Sequence, residues 1–375
     1  MNFGTHARPL AGLLDAEAIT SLGETAAETA LLLRAGVGNV QAGDFIDGAG
    51  HRVMLCASPA LPSDMSGPQR LLALATHCLS VLHERAVARV SSRQDGRPPV
   101  ILLGLPERFA EGRLALQLNE AGRAFLRALR PRLPAAWADA DIEPFPYGRA
   151  AGALAMQRAL QYVDGQREVL WGGVDTLVDW DVLEALERAD RLVTAENVDG
   201  VRPGEAAAFV SLGPASRGDV ALLGLGLGRE PCPVGSESPC MSEGLSVALD
   251  SAVAALRAAQ ARCSLWWLDA SQEAYATQEV QRMVARFGDV LGTDSELQMP
   301  LKELGDVGAA AMPLLAALAR EWWRQGVARD DIAVLTGCSD SGGRGALLLA
   351  SRMPSRQAGA DGLVQTHGAT AEFVS

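Results

Sequence analysis

No apolar run in this 375-residue chain reaches the roughly 20 residues needed to cross a bilayer, although 48% of its residues are hydrophobic. A membrane span is therefore not expected. The amino-terminal MNFGTHARPLAGLL is too short in apolar residues for a secretory signal, which makes the cytoplasm the expected location. Basic clusters are also lacking: 33 Lys and Arg stand against 45 Asp and Glu, for a net charge of −12. A phosphate backbone would be repelled, so nucleic acid is excluded as a partner. The six cysteines (Cys56, Cys78, Cys232, Cys240, Cys263, Cys338) include no C-x-x-C pair and have no histidine interleaved at ligand spacing. Reduced thiols, no structural zinc and no cofactor are expected; Cys232 and Cys240 flank a Pro/Gly/Ser loop and are the pair placed to bridge. Finally, no cysteine occurs between Cys78 and Cys232 and no histidine between His83 and His367.

What is present is an alternation of short apolar runs with longer Ala/Leu/Arg segments of helical period, the pattern of an α/β fold with buried strands. Strands are expected at Arg52–Ala57, Val100–Leu103, Glu168–Gly172, Ala206–Leu212, Val220–Leu225, Ser264–Leu268, Ala333–Thr336 and Ala346–Ala350. Helices are expected near 15–34, 69–88, 113–130, 150–163, 179–189, 243–261, 274–287 and 308–325. GPASRGD (213–219) breaks the composition and reads as the join between two similar halves, 1–213 and 214–350. Each supplies a mixed sheet covered by helices, in the layer order helix, sheet, helix, sheet, helix. Residues 351–375 lose apolar periodicity and read as a tail. GLGLG (224–228) lacks the third glycine and the following helix of a dinucleotide fingerprint, and the Trp266–Trp267 and Trp322–Trp323 pairs read as core packing.

Four segments, in order, carry a resemblance to a known family. LWGGVDTL (170–177) resembles the strand that follows the nucleophile helix in β-ketoacyl synthases (3-oxoacyl-ACP synthases) of the thiolase-like fold. DGVRPGEAAAFVSL (199–212), with Asp199, Gly204 and Glu205, is similar to their D-G-F-x-x-G-E-G-A strand start. KELGDVGAA (302–310) resembles their lysine and Gly-His loop, and CSDSGGRGALLL (338–349), with Gly342 and Gly343, their closing glycine motif. Together these imply a thiolase-like, five-layer αβαβα fold with two pseudo-symmetric halves; Gly172, Gly173, Asp199, Gly204, Glu205, Gly342 and Gly343 would be structural. The bland alternative for GGVD is a tight strand-to-helix turn, its glycines present for backbone freedom.

The resemblance fails where the family's chemistry resides. A condensing enzyme needs a cysteine at a helix N-terminus, where the dipole favours thiolate and a backbone N–H helps hold an oxyanion. In PYGRAAGALAM (146–156), aligned on Gly152, Arg149 stands at the cysteine position, and arginine cannot attack a thioester. Ser271 lies near the first histidine position, Asp306 at or beside the second, and Ser339 where the family has a gating phenylalanine. His367 follows the final strand and belongs to the tail. Arg149 and Asp306 are expected to form an ion pair filling the site; the alternative is a solvent-facing Arg149 with Asp306 capping the helix near Gly308.

These departures imply a catalytically inactive β-ketoacyl synthase-like protein with no catalytic residue, acting with a protein partner as a binding, adaptor or assembly component, in the manner of the degenerate synthase-like proteins of bacterial type VI secretion loci. The alternatives are an acyltransferase or acyl-carrier-binding enzyme of fatty acid or polyketide metabolism, and the silent subunit of a heterodimeric synthase. A homodimer is also open: the family pairs the strand before the nucleophile helix across a two-fold axis, and here that strand, DIEPFPY, carries Pro144 and Pro146, which remove ladder donors.

Overall fold

A computed structural model describes residues 8–88, 97–112 and 117–352; the proposed tail from residue 353 onward, with His367, lies outside them, as does the start of the helix expected at 113–130. The first half contributes β1 (Ala11–Ile19), α1 (Ala26–Arg34), the hairpin β2 (Gln41–Ile46) and β3 (Arg52–Leu55), α2 (Gly67–Ala88), β4 (Val100–Gly104), α3 (Glu120–Leu129), β5 (Ile142–Phe145), α4 (Ala151–Asp164), β6 (Val169–Thr176), α5 (Trp180–Arg188) and β7 (Glu205–Gly213). The second contributes β8 (Val220–Arg229), α6 (Glu243–Ala252), α7 (Ala254–Ala258), β9 (Cys263–Trp267), α8 (Ala274–Arg286), β10 (Leu291–Gln298), α9 (Leu301–Leu304), α10 (Ala311–Gln325), β11 (Ile332–Cys338) and β12 (Gly343–Ser351).

The two halves repeat one topology. The first has strand order β1-β7-β6-β4-β5 and the second β8-β12-β11-β9-β10. In each, the first two contacts are antiparallel and the last two parallel. A short antiparallel pairing of Ala11–Leu13 with Val220–Leu222 joins them at the centre. Helices α4 and α10 touch strands of both halves and share one apolar core with the inner faces of both. The α2 side of the first half and the α6/α8 side of the second have separate cores. These are the five layers expected from sequence, and this is the mixed α/β arrangement of the thiolase-like fold.

Two local features explain how the layers approach so closely. In β8 the alternate glycines of GLGLG face α6: a Cβ on Gly224, Gly226 or Gly228 would lie 2.0, 1.7 or 1.9 Å from the carbonyl oxygens of Ala252, Ala248 and Gly244. A strand period of two thus meets a helix period of four, and the helix backbone rests directly on the sheet. In β6, a Cβ on Gly173 would fall 2.1 Å from Ala309 O, and one on Gly172 would fall 2.1 Å from the Phe209 ring. These glycines sit inside a strand rather than in a turn, so close packing and not backbone freedom is their reason.

Several expected elements need correction. The helix expected at 15–34 is strand β1 followed by the shorter α1. The segment AGLLDAEAI is buried on nearly every residue, so it shows no in–out alternation, and its Ala, Leu and Glu are good helix formers overridden by burial at the sheet centre. The helix expected at 243–261 is two helices, α6 and α7. The strand β10 was missed because LGTDSELQ is polar, as its position at the sheet edge allows. The cysteines, by contrast, are free thiols as expected, Cys232 and Cys240 included. The tryptophan pairs do pack internally, with Trp267 and Trp322 meeting edge-on at 4.8 Å between centroids.

Candidate functional site

The site forms where the N-terminus of α4, the loop before α10 and the β11–β12 turn converge. Phe145 ends β5, and a single turn at Gly148–Ala150 leads into α4. Gly148 takes φ +53° there, in the left-handed region open to glycine. That turn points Arg149 inward, leaving it 7% exposed.

Every edge of the guanidinium is engaged. Arg149 Nη1 donates to Asp306 Oδ2 at 2.7 Å, Nη2 to Asp340 Oδ1 at 2.9 Å, and Nε to the Cys338 carbonyl at 2.7 Å. Asp269 Oδ2 lies 3.9 Å away. A cation at a helix N-terminus is disfavoured by roughly 0.3–1 kcal/mol, and the carboxylates that face it outweigh this. Although burial alone would lower it, the Arg149 pKa is held above its ordinary value by Asp306, Asp340 and Asp269, so the charge is permanent.

Asp306 performs both roles foreseen as alternatives. While Oδ2 takes the arginine, Oδ1 accepts from Gly308 N at 2.8 Å and caps the turn entering α10. Burial pushes its carboxyl above the usual range, against the pull of Arg149. Ser339 completes the other side: Ala150 N donates to its Oγ at 2.8 Å, and its hydroxyl donates to the Tyr147 carbonyl. An N–H at the start of α4, where an oxyanion would be held, thus has a resident partner.

The network continues outward. Asp340 Oδ2 accepts from Arg191 Nη1 at 2.8 Å, and Arg191 also grips Glu273 through Nε and Nη2 at 2.8 and 2.9 Å. Burial pushes Asp340 up, but Arg149 and Arg191 together hold it below the ordinary carboxylate value. Ser271 Oγ reaches Glu273 Oε2 at 3.4 Å, a long contact. Arg149, Asp306 and Ser339 are therefore brought together directly, with Ser271 joined through Glu273.

The remaining motif residues brace this centre. Glu205 is fully buried, accepts from Arg70 Nε and Nη2 at 2.7 and 2.5 Å, and also receives Ser58 N and the Thr176 hydroxyl. It ties α2 and the loop after β3 to the sheet. Asp199 Oδ1 accepts from Ala274 N at 2.6 Å, anchoring the start of α8. A Cβ on Gly204 would lie 2.4 Å from Leu304 O. Gly342, at φ +98°, makes the turn from β11 to β12, and Gly343 opens β12.

Sequence reasoning missed Arg191, Glu273 and Asp269 as parts of the site. Asp340 was visible in the closing motif, but its two arginine partners lie 191 and 149 residues away. The available signal was polarity: Ser-Asp-Ser in a motif otherwise apolar needs buried partners.

The chemistry open to this arrangement is limited. Cys338 borders the site, but burial and Asp269 push its thiol well above the ordinary value, and a thiol is not the nucleophile. The described histidines, His51, His77 and His83, lie on the hairpin side and on α2, outside this lining. Asp306 and Asp340 are committed to guanidinium groups and offer no metal set. The cavity beside Arg149, lined also by Leu268, Tyr275, Glu279 and Met283, encloses about 20 Å³, room for one water. Outside it a groove of about 510 Å³ exposes Asp340, Ser341, Tyr147 and Arg229.

No family model and no curated protein matches this sequence. Solved structures do. A ketosynthase in complex with its chain length factor from Xenorhabdus doucetiae superposes with a TM-score of 0.65 at 16% identity, over 91% of this chain and 98% of that one. A type II polyketide synthase acyl-carrier protein in complex with its ketosynthase gives 0.69 at 13% identity, over 92% and 100%. A β-ketoacyl synthase from Burkholderia phymatum gives 0.65 at 14%, over 92% and 100%. The chain therefore has the ketosynthase fold over 91–92% of its length. At these identities the likeness is one of fold. Among the described residues, no helix is long and apolar enough to cross a membrane.

Proposed function

We propose that this chain is a ketosynthase-fold protein that does not condense acyl groups and acts as the protein-binding partner of a second ketosynthase-fold subunit. One observation carries the reading. The side chain aimed into the centre from the start of α4 is an arginine paired with Asp306 and Asp340; in this reading Arg149, Ser271 and Asp306 stand where the family carries its cysteine and two histidines, and Ser339 where it carries a gating phenylalanine. A charge that cannot be removed cannot become a nucleophile, and the small cavity leaves no space for an acyl chain. Support for the partner class comes from the ketosynthase and chain length factor complex of the same fold. A secretion-locus setting draws no support from the fold.

Pairing in the family's manner would use the edge of β5. Ile101 N and Leu105 N donate to the carbonyls of Asp141 and Phe145, so odd-numbered residues of this strand face β4 and Pro144 faces the free edge. A partner strand would find one donor fewer there. This favours association through side chains and loops over a continued ladder.

Affinity capture of the full-length protein from its native host, followed by mass spectrometry and size-exclusion chromatography, tests the proposal. A stoichiometric complex with a ketosynthase-fold protein is expected; a chain that purifies alone or only with itself contradicts it.

A further inference from the structure

Burial and charge set apart a second group of polar side chains, on the outer side of the second half-sheet. Glu230 follows β8, Cys240 precedes α6 and Glu279 lies within α8; they are 2%, 5% and 3% exposed. One carboxylate oxygen from each glutamate and Cys240 Sγ all lie within 4.8 Å of one another. We propose that Glu230, Cys240 and Glu279 form a binding site for one divalent transition-metal ion, and that zinc is the ion their chemistry fits.

The half-satisfied state of Glu230 points to a ligand. Its Oε2 accepts from Gly244 N at 3.0 Å, while its Oε1 is buried and has no hydrogen-bond partner. A buried carboxylate oxygen left unmatched is costly, and native structures keep few of them. Glu279 is already engaged on one side, with Oε1 accepting from Arg344 Nε at 2.9 Å. Arg344 donates onward to the Ser339 carbonyl and to Tyr275 Oη.

Charge makes the same argument. Two carboxylates against the single Arg344 guanidinium leave one uncompensated negative charge in a buried volume. A divalent ion that displaces the Cys240 thiol proton to solvent changes the sum to three negative ligands against three positive charges. The site is then neutral.

The donor set chooses the ion. Magnesium and calcium take oxygen ligands, whereas a mixed set of two carboxylates and a thiolate suits zinc, at about 2.0–2.2 Å to oxygen and about 2.3 Å to sulfur. Three protein ligands leave a fourth position for water. The sequence hid the set because it joins residues from three separate elements with no C-x-x-C spacing.

The test uses full-length protein stripped with a chelator and titrated with zinc in competition with a chromophoric chelator, then with cobalt(II). One ion per chain is expected, with a thiolate-to-cobalt charge-transfer band in the near ultraviolet. Cys240→Ser should abolish the band, and Glu230→Gln, nearly the same in shape, should weaken zinc by more than about a hundredfold, since loss of outer partners alone costs 10–100-fold. Cys232→Ser should leave both unchanged. Absence of saturable one-to-one binding in the parent protein, or a cobalt band that survives Cys240→Ser, overturns the proposal. The parent titration decides alone if a variant fails to fold.

Discussion

Arg149 and Asp306, 157 residues apart in sequence, meet at 2.7 Å in the centre of the molecule, one at the threshold of α4 and the other at the threshold of α10. Each half of the duplicated fold sends one helix into the middle layer, and the pair joins their N-terminal ends. A contact made in this way is structural as well as electrostatic, because it fixes the two central helices relative to each other.

Removing one member of this pair should be expensive. Arg149→Met leaves Asp306 buried without its cation, and a loss of about 3–5 kcal/mol in unfolding free energy is expected. The double variant Arg149→Met/Asp306→Asn should lose less than the two single changes summed, with a coupling of about 0.5–3 kcal/mol. Urea denaturation of the four proteins measures it; additivity would show that the pair is not a unit.

Restoring a thiol should not restore chemistry. Arg149→Cys places a cysteine at the start of α4, but the Ala150 N–H is already held by Ser339 Oγ and no described histidine lines the site. Radiolabelled malonyl transfer or product analysis should show no condensation above that of the parent chain. Turnover would mean that groups outside this network serve as base and oxyanion donor.

Asp340 sets a sign for the acid limb of stability. Its folded pKa is lowered from 3.8, so it contributes stability that is fully present above that value and lost as pH falls through the folded pKa. The stability gap between the parent and Asp340→Asn should therefore be constant from pH 7 to about 5 and shrink below the ordinary carboxylate range. Denaturation series at several pH values check this; a gap that widens on acidification would reverse the assignment.

The glycine stripe of β8 gives a prediction independent of the site. Gly226→Ala puts a Cβ 1.7 Å from Ala248 O, so α6 must lift from the sheet. A loss of about 1–3 kcal/mol is expected, read as a lower melting temperature, with the exposed Gly288→Ala, where a Cβ would meet nothing within 4 Å, as a control for composition. A neutral Gly226→Ala would show that α6 has room to move.

How much of the fold is legible in the sequence follows from where its information lies. The strands β6, β9 and β11 are legible because strands buried on both faces are short continuous apolar runs, and VLWGG, SLWWL and IAVLT are that. Strand β1 is not, since LLDAEAI uses helix-forming residues and owes its conformation to neighbours on both sides. Arg149 and Asp306 can be paired from sequence because each falls in an ordered motif whose partner motif is spatially adjacent in the fold. Arg191 and Glu273 cannot, for they lie in segments without a motif, and only the folded chain brings them to Asp340. Local pattern thus recovers what is repeated or apolar, while a network of charges assembled across five segments is set by tertiary structure.

The central claim is that a paired arginine occupies the place of the nucleophile, and intact-mass spectrometry after incubation with an acyl-loaded carrier protein and with acyl-CoA tests it most directly. The expected spectrum is that of the unmodified chain under both conditions. A stoichiometric acyl adduct that maps to the α4 threshold or to Cys338 would contradict it.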